Sequence, residues 1–490
     1  MASNSNALAL IYGTVRIGQN INIPHLSGAE YYNVSQNAIL WVDGGSVTKP
    51  SGSGIVIYGR IKVSNGTLNS DISSGIITRL TGVFESTGGT TTLGQFRTSV
   101  LGTEHKGTYI QSGGLVIING ELSSTSHYSF TLAYDGTSFS LTGGTLRING
   151  TNTKGAIFIN SNSANQNINA NGTLELISTN TTPFRISSVS PFPTVVMKRV
   201  GSGTREFTLD GGTVGTSPAN MAELSRQPLV TKGSLTIEDN IIFSPKGQDV
   251  SIGGSFSLGA TSSYVAGSNT THFTGATSNY SINIASGATT KYFHNLNIDN
   301  ASYTGSLLGS NITIGNNLLV SSGTLDLGTQ ILTVRGDITN SGTITNTTGK
   351  VLVTQRGRLT SINVIYGGYY TSVPTVTVSA PPAGGTTATA VAILNGTTIS
   401  QIIITNTGSG YTSNPTIYIS NNGWAFTSRT YSATHEIGGD GSGKFGNLEI
   451  NETHSNTSQI TYLSSKQTVT GTLTLTNGIL DLRTFNLDLE

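Results

Sequence analysis

No cysteine occurs among the 490 residues. That excludes thiol catalysis, thiolate metal sites and a disulfide framework. It also suits export, because a chain without thiols cannot be mis-oxidised outside the cell. Charge is nearly as scarce: charged residues make up 10% of the chain, against roughly 25% in typical globular domains. The 25 Lys and Arg balance 24 Asp and Glu to a net charge of +1. Without clustered basic residues to neutralise phosphates, no nucleic-acid partner is expected. No apolar run approaches the roughly 20 residues that a membrane helix needs, so no membrane insertion is expected. The opening MASNSNALALIYGTV has no basic region followed by an apolar core, the pattern of a secretion leader, and the expectation is that a leader has been removed or that the Met-Ala opening is not native.

Gly, Ser, Thr and Asn fill the space that charge vacates. Disorder is excluded by Val, Ile, Leu and aromatic residues set in strand-like pairs nearly everywhere. NAILWVDGGSV (37–47) alternates apolar and polar residues before turning at Gly44-Gly45, and GIVIYGRIKVSNGTL (54–68) repeats the pattern. Period-two alternation sends one set of side chains inward and the other to solvent. Helical periodicity is almost absent; PANMAELSRQ (218–227) reads as a loop with a short helix at best. From 110 to 237 a glycine-led unit recurs as SGGLVI (112–117), TGGTLRI (142–148), NGTLEL (171–176), DGGTV (210–214) and KGSLTI (232–237). A hairpin meander would place strands every 8–12 residues. The wider, irregular spacing favours an all-β parallel β-helix, or β-solenoid, whose coils each hold two or three short strands. Leu325, Leu327, Leu332, Val334, Ile338, Ile344, Val351 and Val353 fit its inward positions.

A long repeat organises the C-terminal half. Phe293, Asn295, Leu296 and Ile298 recur as Phe445, Asn447, Leu448 and Ile450; Leu325, Asp326, Leu327, Leu332 and Val334 recur as Leu480, Asp481, Leu482, Leu487 and Leu489. The first copy continues through 335–353, whereas the second reaches Glu490 first, so a piece of a longer protein is expected. Residues 358–422 break the pattern. IYGGYYTSVPTVTV (365–378) and GSGYTSNPTIYI (408–419) form a second duplication, with Tyr370 matching Tyr411 and Pro374 matching Pro415. Proline in strand-like runs belongs at edges or strand starts. The expected division is therefore 1–230, N-terminal coils; 231–357, coils with the first repeat copy; 358–422, an inserted duplicated β module; and 423–490, the second, truncated copy.

Catalysis on a β-helix needs carboxylates that converge on adjacent coils. Asp43, Asp135, Asp210, Asp326 and Asp481 stand singly, and Asp326 and Asp481 occupy equivalent repeat positions, as scaffold residues do. The seven histidines (His25, His105, His127, His272, His294, His435 and His454) show no ligand-pair spacing. One acid in GGDGSG (438–443) suits a flexible corner better than a calcium cage. No catalytic residue, metal or cofactor is expected, and no ligand-binding residue is assigned. Tyr366, Tyr369, Tyr370 and Tyr411 cluster among glycines, where tyrosine faces could stack on sugar rings. The recurrence of Tyr370 and Tyr411 favours core packing for those two.

Several of these stretches, with RTSVLGTEHKGTYIQSGGLVI (97–117), YSFTLAYDGTSFSLTGGTLRI (128–148) and FHNLNI followed by SGTLDLGTQILTV, resemble the giant cell-surface adhesins of Bacteroidota exported by the type IX secretion system, the SprB-like gliding adhesins of flavobacteria among them. The resemblance implies a non-enzymatic β-solenoid filament at the outer cell surface. Its implied partners are surface polysaccharide or solid substratum, together with the secretion and motility machinery of the outer membrane. The C-terminal secretion signal of that family is absent, which agrees with a fragment. The alternatives are a phage tail-fibre segment and a carbohydrate-active β-helix enzyme.

Overall fold

Alternating strands joined by glycine corners stack on themselves in a computed structural model of the chain. It describes residues 8–26, 31–50, 52, 54–71, 75–98, 106–120, 127–150, 154–214, 222–354, 357–381, 386–406, 408, 411, 413–420, 426–432, 435–451 and 460–490. The fold is all-β, a parallel β-solenoid, and the one helical segment among the described residues is the 3-10 turn Ser163–Asn165. Two compact units divide the chain. The first is Met1–Gly267 with Thr274–Thr277 and Ile284–Thr290; the second is Ser268–Phe273, Ser278–Asn283 and Lys291–Glu490.

In the first unit, Leu10–Ile17 pairs in parallel with Tyr32–Lys49, which pairs with Arg60–Ser70, then Val83–Leu93, Thr108–Ile118 and Ser138–Asn149. The ladder continues through Thr173–Ser178 and Thr194–Arg199 to Leu235–Ile237, so coils run across residue 230. The inward positions build an aromatic core around Tyr109, whose ring lies 5.5 Å from Phe84, 5.1 Å from Phe96 and 5.2 Å from Phe130. The Tyr109 hydroxyl donates to Gln111 Oε1 at 2.6 Å, and Gln111 Nε2 donates to the Thr145 carbonyl of the next coil at 2.9 Å. The buried phenol thus has a partner, which burial requires.

The glycine-led unit marks a corner. The long strands bend at Gly44-Gly45, Asn65-Gly66, Gly88-Gly89, Gly113-Gly114 and Gly143-Gly144, and these pairs stack into one column. A Cβ on Gly114 (φ +72°) would lie 2.6 Å from the Gly88 carbonyl of the neighbouring coil. Stacking, as much as turning, therefore excludes a side chain there. DGGTV departs from this reading: Gly212–Val214 pairs antiparallel with Ala222–Leu224 in a side hairpin. Its Val214 and Leu224 pack on Tyr128 and Phe158. That hairpin also takes Ala222–Leu224 of the candidate helix 218–227, of which 218–221 lie outside the described residues.

The second unit has three strand faces per coil. The first runs Tyr292–Phe293, Ile312–Ile314, Ile331–Val334, Lys350–Val353, Leu448–Asn451, Leu473–Asn477. The second takes Leu296–Ile298, Leu318–Val320, Ile338–Asn340, His435–Gly438, Ile460–Leu463, Ile479–Asp481. The third takes Thr304–Ser306, Thr324–Asp326, Thr343–Thr345, Lys444–Phe445, Gln467–Val469, Leu487–Leu489. All eight inward positions named from sequence in 325–353 are at most 1% exposed.

The two copies of the long repeat do not lie on the same faces. Phe293 is on the first face and Leu296 on the second, whereas Phe445 is on the third and Leu448 on the first. Leu332 is on the first face and its counterpart Leu487 on the third. The repeat is one strand segment short of a whole number of coils, so the second copy is turned back by one face. An inward Leu-x-Leu segment meets the same apolar interior on any face, which lets the sequence repeat without the geometry repeating.

The solenoid ladders jump across the inserted segment, pairing Lys350–Val353 with Leu448–Asn451 and Ile338–Asn340 with His435–Gly438. Glu449, 8% exposed, fastens this junction. It is ion-paired with Lys350 and accepts a 2.7 Å hydrogen bond from Thr476 Oγ1. The Lys350 bond first, then that of Thr476, hold its carboxyl below the usual range despite burial.

Two outcomes are expected. Gly114→Ala should destabilise the first unit by about 2–3 kcal/mol, since it adds a backbone clash to a positive φ. Gly396→Ala, at φ +62° with open space around it, should cost about 1 kcal/mol; equal losses in denaturant melts would refute the corner argument. Glu449→Gln should cost about 1–2 kcal/mol at neutral pH, discounted because the Lys350 side chain is 36% exposed. A depressed carboxyl contributes stability above its unfolded pKa and loses it as pH falls through the folded value. The melting temperature of the variant should therefore fall less than that of the wild type on acidification from about pH 5 to about pH 3.

Candidate binding face on the inserted module

Of the five aspartates picked out in the sequence, four have carboxylates engaged by partners of their own, and Asp135 is bonded through its backbone. Asp43 accepts from Ser64 Oγ (2.8 Å) and Arg16 Nε (2.7 Å), and these two bonds, Ser64 first, hold it below the usual range. Asp210 faces Arg185 at 3.8 Å and Arg226 at 3.6 Å. The Asp135 carbonyl accepts from Asn165 Nδ2 at 3.0 Å. Asp326 Oδ1 accepts from Gly328 N at 3.1 Å, and Asp481 Oδ1 from Arg483 N at 2.9 Å. Both therefore close the same local turn, on different faces of the coil.

The histidines are likewise dispersed. His25 is exposed; His127 Nε2 lies 3.0 Å from Arg97, and His272 Nδ1 lies 3.1 Å from Asn297. His435 is buried with Nδ1 2.9 Å from the Gly336 carbonyl. His105 and His454 lie outside the described residues. In GGDGSG, Asp440 Oδ1 accepts from both Ser442 N (2.9 Å) and Ser442 Oγ (2.6 Å), closing a corner. Among the described residues no group of three His, Asp or Glu could hold a metal ion.

The inserted module has a core of its own. Leu359, Ile362, Tyr370, Val378, Ala390, Ile399, Ile402 and Tyr411 pack together. At its base Arg358–Tyr366 pairs antiparallel with Phe426–Ser432, so the module reaches past residue 422. The duplicated halves pair with each other: Val376–Val378 runs antiparallel to Ile417–Ile419. Their hydrogen bonds come in matched pairs. Ser379 N donates to the Thr416 carbonyl (2.8 Å) and Ser420 N to that of Thr375 (2.9 Å). Thr375 N donates to Ser420 Oγ, and Thr416 N to Ser379 Oγ, both at 2.8 Å. The duplication is thus a local two-fold. The buried Tyr411 hydroxyl pins its parts, accepting from Ala388 N (2.8 Å) and donating to the Ser379 carbonyl (3.0 Å).

Exposure separates the four tyrosines singled out from sequence. Tyr370 and Tyr411 are each 3% exposed, but Tyr366 and Tyr369 are 59% and 66% exposed. Beside them runs an open groove of about 570 Å³ between Arg358–Tyr366 and the hairpin strand Thr398–Asn406. Ser361, Asn363, Ser400 and Gln401 line it with hydroxyls and amides, and Ile362 and Ile403 with apolar surface. Ile399 N donates to the Gly367 carbonyl at 3.0 Å and Tyr370 N to that of Thr397 at 2.6 Å, which sets the loop bearing Tyr369 against the start of the groove strand. Reading the sequence in order missed these lining residues, because the two strands are far apart in the chain.

Compared with known proteins, the chain matches no family model, no curated protein and no solved structure.

Tyr411→Phe should leave the Ala388 N–H unpaired in the module core and cost about 1–3 kcal/mol. Loss of hydrogen-exchange protection should be confined to the module's strands; an unchanged module would show that Tyr411 does not pin it.

Proposed function

We propose that the chain is a structural and adhesive segment of a long cell-surface filament, exported by the type IX route in a Bacteroidota-type cell, with the inserted module as its adhesive part. The observation that carries this reading is where apolar surface is left in water. On the coils between the first and the last, the exposed large apolar side chains among the described residues are single ones such as Val189, Val200 and Ile242. The module leaves Ile365, Tyr366, Tyr369, Val373, Val391 and Ile403 exposed together with Tyr418. Several large apolar side chains left exposed in one module of a chain that buries them elsewhere point to a binding role. The engagement of the Asp43, Asp210, Asp326 and Asp481 carboxylates in local hydrogen bonds or ion pairs supports a non-catalytic reading. In a filament carrying many modules, weak contacts would sum through multivalency to firm attachment to polysaccharide or substratum. In a gliding species, a surface motor pulling such a filament would turn that attachment into movement.

Replacing 355–434 by a short Gly-Ser linker should keep the parallel stack, because the ladders already pair across the gap and closure cost grows by only about 0.6 kcal/mol per doubling of loop length. Beads coated with the wild-type chain should adhere to polysaccharide-coated glass, and beads coated with the linker variant should not. Equal adhesion of both, with coil melting preserved, would move the adhesive role off the module. Collapse of the coils would show the segment to be part of the stack.

A further inference from the structure

The module has a property that decides what its groove can hold. From Leu359 to Ser428 the chain has no Asp, Glu, Lys, Arg or His; Arg358 and Arg429 flank that run in the sequence. Elsewhere charge is sparse but present on coil after coil, as in the ladder Arg147–Glu175–Lys198–Glu238. The described residues lining the groove include no cation to pair with uronate, sulfate or phosphate groups, which take their affinity from Arg and Lys. Those residues also include no carboxylate for a calcium cage, which draws on Asp and Glu oxygens.

Its remaining chemistry is specific. The side chains of Asn363 and Gln401 are exposed at the groove and offer amide donors and acceptors together. Ser361 and Ser400 add hydroxyls, with the Ser400 hydroxyl anchored on the Ile393 carbonyl at 3.2 Å. Tyr366, at the end of one lining strand, and Tyr369, on the loop tied to the other, present flat apolar rings with polar tips. Uncharged amides and hydroxyls beside exposed aromatic faces suit a ligand with many hydroxyls and an apolar C–H face. An apolar peptide would be matched by an apolar floor, whereas Ser361 and Asn363, on the strand face opposite to the buried Ile362, are polar.

We infer that the groove between Arg358–Tyr366 and Thr398–Asn406 binds a neutral polysaccharide, without calcium and without ionic attraction. The inference rests on the adhesive reading above and narrows it to one ligand class.

The test uses the whole chain in affinity electrophoresis, through gels holding a soluble glucan, mannan or galactan and, in parallel, alginate, polygalacturonate or heparin. Retardation is expected in at least one neutral gel and in none of the acidic ones. It should be unchanged by EDTA and vary less than about twofold between roughly 0.05 and 0.5 M salt, where screening would weaken charged contacts. Tyr366→Ala with Tyr369→Ala, or Gln401→Ala alone, should weaken it about tenfold, equivalent to about 1.4 kcal/mol. These residues are exposed, so an unchanged melting curve can verify the fold, and Tyr12→Ala, at an exposed tyrosine on the first coil, serves as a control. Retention in acidic gels alone, dependence on calcium or salt, or indifference to the groove variants would overturn the inference. So would binding to an extended apolar peptide that excludes the sugar. If no polysaccharide binds while coated beads still adhere to bare substratum, the ligand class falls and the adhesive role stands. If neither occurs, both fall.

Discussion

Everything in this chain is subordinate to one constraint, that each coil must hydrogen-bond in register to the coil beside it at the spacing of paired strands, about 4.8 Å. A residue in such a stack meets its counterpart on the next coil as closely as it meets its own neighbours. The column of glycines in the first unit is the steric form of this constraint. The asparagines of the second unit are its polar form. Asn295 Oδ1 accepts from Asn317 N (3.1 Å), Asn317 Oδ1 from Asp337 N (3.1 Å), and Asp337 Oδ1 from Glu436 N (3.0 Å). At this corner the backbone turns away from the ladder, and a short side chain from one coil satisfies the orphaned N–H of the next. The abundance of Gly and Asn is therefore a stacking requirement as well as a turn preference.

The same spacing explains the scarcity of charge. Like charges on successive coils would face each other within a few ångströms, and in one column of the first unit charge alternates in sign. Glu175 stands between Arg147 Nε (2.7 Å) and Lys198 Nζ (3.0 Å), and Lys198 reaches Glu238 at 3.7 Å. Burial raises the Glu175 carboxyl, but its hydrogen bonds to Arg147 and Lys198 outweigh burial and hold it below the usual range. Elsewhere hydroxyls and amides, which can stack on their own kind, take the outward positions.

The fold class and the inward positions of 325–353 were legible because period-two alternation and corner glycines are local signals. The face on which each strand lies was not. Phe293 and Phe445 look equivalent in sequence yet occupy different faces, since only the number of strand segments between them sets the rotation. DGGTV carries the corner motif yet forms a side hairpin, because the chain after Val214 returns to pair with it through Ala222–Leu224. At the candidate site, recurrence assigned Tyr370 and Tyr411 to the core and left Tyr366 and Tyr369 outside. The groove needed the structure, although the uncharged run from 359 to 428 is a sequence signal that sets the module apart.

A module of this size can sit between two coils because of its internal symmetry. An antiparallel pairing of two equivalent halves, Val376–Val378 with Ile417–Ile419, sends the chain out through one half and back through the other. The two strands flanking those halves, Arg358–Tyr366 and Phe426–Ser432, then run side by side at the base. Exit and re-entry are thereby brought together without any help from the solenoid. The coil needs to supply a single corner, between Val353 and His435, and the parallel ladders pass that corner with their register intact. Duplication is thus what reconciles an inserted module with ladders that keep their register across it.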